Sequence, residues 1–213
     1  MDNIDEILQG IDERLEQKNA VREGALSVSR RVVQHASKVI RAVHRHEWEE
    51  AQALLQDTAT LVEEISEQTG TASDLYWTGY VQDAQKEYAE AHLTLALVRQ
   101  TALPLPKEIG VEDAAYLNGL AEAASELRRY ILDLVRHNEL VEADRLLDSM
   151  EEVYSRLITI DYPHAITNNL RRTTDQLRGV LERTRGDVTV AMKQQELKEA
   201  LRGVEARLAE GEQ

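Results

Sequence analysis

Apolar residues recur at alternating spacings of four and three along much of this sequence. The clearest run comprises Trp77, Val81, Ala84, Tyr88, Ala91, Leu95 and Val98, and the next comprises Leu117, Leu120, Ala124, Leu127, Ile131 and Leu134. Such spacing places the side chains on one face of an α-helix. The sequence shows no strand-like alternation, and its 213 residues contain only three prolines. These features predict an all-α fold.

Turn-forming residues divide the sequence into about seven helices. The segments are Ile4–His44, Glu47–Gln68, a third from Thr71 or Ser73 to just before Leu103, a fourth from about Val111 to Arg136, Leu140–Leu157, a sixth from Asp161 or Pro163 towards Gly186, and a C-terminal helix over Met192–Glu210. Glycine after a helix and proline near its ends are the signals used. We predict one bundle of long antiparallel helices, forming a single domain over residues 1–213.

Composition excludes several classes of protein. The chain has no cysteine, so it has no disulfide framework, zinc–thiolate site or cysteine nucleophile. The N-terminal residues are acidic and lack the apolar run of a secretion signal, and no stretch approaches the roughly 18 apolar residues of a membrane span. The six histidines show no metal-ligand spacing and are expected at the surface. We expect a cytoplasmic protein that does not enter a membrane.

The net charge of −14 argues against a simple basic surface for nucleic acid. The acidity is compatible with a general solvation strategy at high salt, or with basic residues concentrated at one site. The second reading has local support, because the segment 165–186 contains five arginines and only two acidic residues. These arginines could contact phosphates, or they could pair with the acidic faces of neighbouring helices.

Two pairs of glutamates have helical spacing. Glu87 and Glu90 are three residues apart on the third predicted helix, and Glu122 and Glu126 are four apart on the fourth. Each pair lies on one helix face. If the two faces meet, four carboxylates converge, and hard oxygen ligands of this kind suit Mg²⁺ or Mn²⁺. The alternative is a pair of solvated helix faces, since 39 acidic residues produce such spacings by chance.

Three segments resemble the translin/Trax family, in an archaeal-type version. They are KEYAEAHLTLALV (Lys86–Val98), YLNGLAEAASELRR (Tyr116–Arg129) and DYPHAITNNLRRTTDQLRGVLERTRGD (Asp161–Asp187), in the order and spacing of the family. The similarity covers roughly residues 25–187. It implies an all-α fold of about seven helices and a homo-oligomer, typically an octamer-like shell whose cavity takes in single-stranded RNA or DNA.

The resemblance also implies a chemistry. Trax subunits are Mg²⁺-dependent endoribonucleases, and their acidic residues correspond here to Glu87, Glu90, Glu122 and Glu126. These four would hold Mg²⁺ or Mn²⁺ and position the attacking water. The residues expected to engage phosphates are Arg128, Arg129, Arg171 and Arg172. The leading hypothesis is therefore a Trax-like endoribonuclease that binds single-stranded RNA. The alternatives are a non-catalytic oligomer that binds single-stranded RNA or DNA, and a helical assembly protein without a nucleic-acid role.

Overall fold

The computed structural model describes residues 3–70 and 73–211, and the regular structure within them is helical. The helices are α1 (Ile4–His44), α2 (Trp48–Thr69), α3 (Gly79–Arg99), α4 (Asp113–Arg136), α5 (Leu140–Leu157), α6 (His164–Thr167) and α7 (Leu170–Gly211). The predicted all-α class with about seven helices is confirmed. None of the described helices combines the length and apolarity that crossing a membrane requires.

Contacts divide the chain into two compact units. The first contains Met1–Leu120 with Pro163–Asn168, and the second contains Ala121–Tyr162 with Asn169–Gln213. In the first unit α1 packs against α2 and α3, which also contact each other, and in the second unit α5 packs against α7. The prediction of a single domain over residues 1–213 stays a prediction.

Small residues form the buried face of α1. On α1 the buried face consists of Ala25, Val28, Ser29, Val32, Ala36, Val39, Ala42 and Val43. Alanine and valine let neighbouring helices approach closely, which suits a chain without phenylalanine. Burial on α1 begins only at Ala25, so the 21 residues before it in this helix are amphipathic without being buried.

The third helix begins later than the sequence predicts. Thr71, one proposed start, lies outside the described residues, and α3 begins at Gly79 rather than near Ser73. Tyr76 is buried, and its hydroxyl donates to Glu112 Oε1 at 2.8 Å. This anchor holds the preceding turn out of the helix. Trp77, which the spacing placed on the buried stripe, is consequently 56% exposed.

The last two predicted helices are also divided differently. Asn168 and Asn169 adopt left-handed backbone angles, with φ of 48° and 65°, and they end α6 after one turn. Asn118 Nδ2 donates to the Thr167 carbonyl oxygen at 2.8 Å, which satisfies this helix end. From Leu170 the chain then continues as one helix through Gly186, because an isolated glycine costs only about 1 kcal/mol in a helix.

Candidate metal centre

Two glutamates and one threonine share a face of α3. Glu87, Glu90 and Thr94 are separated by three and four residues. At about 100° per residue, Thr94 falls between the two glutamates around the helix axis. Glu90 is 9% exposed, Thr94 is 1% exposed and Glu87 is half-buried. This face therefore presents carboxylates inside the protein, where an ionised group is costly unless an opposite charge accompanies it.

Gly119 brings the first part of α4 against this helix. A Cβ atom at Gly119 would lie 2.8 Å from the Lys86 carbonyl oxygen, 2.9 Å from Ala89 Cβ and 3.0 Å from the Glu90 backbone nitrogen. Only glycine fits there, so the two backbones touch directly beside Glu90. Glu122 follows Gly119 by three residues on the same helix, and residues with this spacing share a face.

The carboxylates of Glu87, Glu90 and Glu122 come together. One oxygen of each lies within 4.8 Å of the others. Two ligands of one Mg²⁺ ion are at most about 4.2 Å apart, since each lies about 2.1 Å from the ion. Small side-chain rotations therefore suffice to bring the three oxygens around one ion. Carboxylates this close repel each other, and a divalent cation removes the repulsion.

The hydroxyl of Thr94 provides an independent observation. It is buried and has no hydrogen-bond partner among the described residues. Buried hydroxyls in proteins are almost always bonded to protein or to ordered water. Because Thr94 lies on the α3 face that carries Glu87 and Glu90, a hydrated cation beside these carboxylates would supply the missing partner. The three carboxylates and the unbonded hydroxyl of Thr94 both fit a hard divalent ion.

One basic side chain accompanies the carboxylates. Lys86 Nζ lies 3.3 Å from Glu87 Oε1, and both side chains are partly buried. A lysine so placed offsets part of the negative charge when no cation is bound. It would also compete with a cation for Glu87.

The structure does not group all four predicted glutamates. Glu126 is half-buried and stands one turn beyond Glu122 on α4, but it is not among the three carboxylates that lie within 4.8 Å of one another. The assignment of Glu87, Glu90, Glu122 and Glu126 as metal ligands and catalytic residues stays a prediction. The geometry brings three of them together.

The predicted phosphate-binding arginines have different surroundings. Arg128 lies within the second unit, where it donates to Thr184 Oγ1 at 3.1 Å and to Asp187 Oδ2 at 2.8 Å. Its charge is thus already compensated by the protein. Arg129, Arg171 and Arg172 are exposed.

The arginine-rich segment also makes protein contacts. Arg185 pairs with Glu151 of α5 at 2.8 Å. For Arg185, the alternative that the basic segment pairs with the acidic face of a neighbouring helix is therefore correct.

His92 was expected at the surface, and that expectation is wrong. Its ring packs edge-on against Tyr88, with 4.7 Å between ring centroids, and its buried Nε2 atom has no partner among the described residues. Burial lowers the pKa of His92 to about 4. Burial, together with the nearby Glu63 carboxylate, raises the pKa of Tyr88 to about 12. Both rings are therefore neutral at pH 7; Tyr88 is a core residue, and His92 lies half-buried beside it. Position 92 falls on the covered side of α3, which helix counting from the apolar stripe could have indicated.

Known proteins resemble the chain over most of its length. No family model matches it. An uncharacterised protein of Methanocaldococcus jannaschii is 31% identical over 198 residues, which are 92% of this chain and 87% of that protein. The solved structures of AfC3PO and of an AfC3PO–duplex RNA complex are each 31% identical, cover 87% of this chain and 96% of their own, and have TM-scores of 0.79 and 0.78. Apo-NeC3PO, at 18% identity, shares the fold with a TM-score of 0.77 over 86% of this chain and 96% of its own.

Helix number, helix arrangement and sequence identity thus point to one class of all-α proteins. C3PO is the complex of translin and Trax, and the resemblance of the three sequence segments is confirmed by these relatives. The chain belongs to the translin/Trax family.

Proposed function

We propose that this protein is a homo-oligomeric, Mg²⁺- or Mn²⁺-dependent endoribonuclease that acts on single-stranded RNA. The observation that carries the proposal is the convergence of Glu87, Glu90 and Glu122, whose oxygens lie within 4.8 Å of one another. The proposal is Trax-like in its chemistry. It further includes assembly into a closed, octamer-like shell that encloses the RNA.

The cation, when bound, would supply Lewis-acid charge at the scissile phosphate and lower the pKa of a water molecule. The chain's own residues hold and orient the reactants. Glu90, the most buried of the three carboxylates, is fixed by the packing of α3 against Gly119. Glu87 and Glu122 complete the donor set, and we assign Glu126, one turn further along α4, to orienting the attacking water.

Phosphate contacts are assigned to exposed arginines. Arg129, Arg171 and Arg172 are exposed and available for RNA, whereas Arg128 is held by Asp187 and contributes less. The solved AfC3PO complex contains duplex RNA. Binding of RNA by the present chain is therefore supported by a relative at 31% identity, and the preference for single strands is our extension.

A second function has one specific observation in its favour. Lys86 already pairs with Glu87, so the carboxylate cluster has a partial counter-charge without any metal. A chain that used this arrangement for structure alone would be a non-catalytic oligomer that binds single-stranded RNA or DNA.

A cleavage assay separates the two functions. End-labelled single-stranded RNA is incubated with the protein in Mg²⁺, in EDTA, and with the variant Glu90→Gln. Glu50→Gln is the matched control, because Glu50 is exposed on α2, outside the carboxylate cluster, and its substitution removes the same charge. We expect cleavage by the wild type and the control in Mg²⁺ only.

Two results would count against the endoribonuclease. Cleavage that persists in EDTA or in Glu90→Gln would place the activity elsewhere. RNA binding without cleavage in Mg²⁺ would favour the non-catalytic oligomer. The assay is run over a range of salt concentrations, because phosphate contacts weaken steeply as salt rises.

A further inference from the structure

The two longest helices each carry an exposed apolar stripe, α1 in its N-terminal part and α7 in its C-terminal part. The α1 stripe consists of Ile4, Leu8, Ile11 and Leu15, whose side chains are 39–58% exposed. The α7 stripe consists of Leu197, Leu201, Val204 and Leu208, which are 52–66% exposed. Large apolar residues that line up along a helix are normally covered, whereas isolated exposed ones need no explanation.

The two stripes have the same geometry. In each, the second, third and fourth residues follow the first by four, seven and eleven positions. At about 1.5 Å per residue, each stripe is about 16 Å long. This spacing is that of the seam between two helices in a coiled coil. Each stripe is therefore matched in length and period by the other.

The charges beside the stripes select which stripes can pair. At about 100° per residue, the charged residues beside the α1 stripe are Asp5, Asp12 and Arg14, and those beside the α7 stripe are Lys198, Glu205 and Arg207. Two α1 stripes side by side would bring like charges together. An α1 stripe beside an α7 stripe brings an acidic flank to a basic one, and charges flanking a helical seam set partner choice.

We propose that the α1 stripe of one copy of this chain packs against the α7 stripe of a second copy. The proposal rests on the homo-oligomer included in the proposed function and names its contact surface. Where an α1 stripe meets an α7 stripe, the four apolar side chains of each leave water.

The absence of cysteine permits a direct test by cross-linking. Chains carrying only Leu8→Cys and chains carrying only Leu201→Cys are given tags of different size, co-expressed, and treated with a short bis-maleimide. Each chain has one thiol, so every covalent dimer joins two copies. Val141→Cys is the control, since Val141 is 88% exposed on α5 outside both stripes. The pair Ile11→Cys and Val204→Cys repeats the test should either first variant fold poorly.

We expect the dimer between the Leu8→Cys and Leu201→Cys chains to form several-fold more than any dimer that contains Val141→Cys. Predominant Leu8–Leu8 or Leu201–Leu201 dimers would overturn the α1–α7 pairing, and so would cross-linking no greater than the control in a protein that light scattering shows to be oligomeric. A monomer by light scattering would overturn this pairing together with the oligomer. Loss of RNA cleavage, by contrast, concerns the carboxylate cluster and leaves the cross-linking result unchanged.

Discussion

Substituting Gly119 by alanine tests how the structure builds the carboxylate cluster. The added Cβ would lie 2.8–3.0 Å from three atoms, whereas ordinary contacts of a Cβ atom begin at 3.4 Å. Two of the three are backbone atoms, of Lys86 and Glu90, which have no rotamer that moves them away. The helices must therefore separate by a few tenths of an ångström at the level of Glu90.

Two opposing effects set the change in the free energy of unfolding that Gly119→Ala causes. Overpacking of a tight contact costs about 1–3 kcal/mol. Alanine in place of glycine inside a helix contributes about 1 kcal/mol of stability. Gly119→Ala should thus lower the free energy of unfolding by about 0–2 kcal/mol. Gly186→Ala is the matched control, because a Cβ there meets nothing within 4 Å and only the favourable helix contribution remains.

Urea unfolding followed by circular dichroism measures both variants. The control should be more stable than Gly119→Ala by about 1–3 kcal/mol, with the wild type between them or close to Gly119→Ala. Gly119→Ala should also show a smaller stabilisation by Mn²⁺, since Glu122 moves with α4. Equal stabilisation by both alanines would refute the close approach of the two helices at Gly119.

Three further predictions concern the core and the turns. Burial lowers the pKa of His92 from 6.5 to about 4, so the unfolded chain binds this proton more readily than the folded chain. The contribution of neutral His92 to the free energy of unfolding is therefore fully present above pH 6.5, and at most about 3 kcal/mol of it is lost as the pH falls towards 4. His92→Gln should flatten this part of the stability–pH curve, and an unchanged slope would contradict it. Tyr76→Phe removes the hydroxyl that accepts a 2.9 Å bond from the buried Gln85 and should cost about 1–3 kcal/mol in urea unfolding, whereas no loss would mean that the network is not stabilising. Asn169→Val should cost about 1–2 kcal/mol while Asn169→Gly is tolerated, because φ is 65° there, and equal melting temperatures would count against that conformation.

Local patterns predicted much of the fold. The bounds of α1 and α5 match the prediction because polar turns such as His137–Asn138 follow strongly periodic segments. The start of α3 depends on Tyr76 reaching Glu112, thirty-six residues away, and no local pattern reveals that contact. The sequence does not predict the helix break at Asn168–Asn169, because asparagine occurs both in helices and in turns and its neighbours decide which of the two it adopts.

The candidate site, like the fold, is only partly predictable from the sequence. Helical spacing alone places Glu87 beside Glu90, and Glu122 beside Glu126. Whether the two faces meet depends on the contact of Gly119 with α3, which helix periodicity cannot show. The sequence shows this glycine in YLNGL, but it does not show which helix packs against it. Likewise, the pairing of Arg128 with Asp187 joins residues far apart in sequence, so the arginine could be recognised but not its partner.

The central claim is that Glu87, Glu90 and Glu122 bind a divalent cation. Titration of the metal-free protein with Mn²⁺, followed by calorimetry or by electron paramagnetic resonance, tests it without requiring activity. The account predicts one tight site per chain, weakened at least about tenfold in Glu90→Gln and unchanged in Glu50→Gln. Equal Mn²⁺ affinity in the wild type and Glu90→Gln would contradict it.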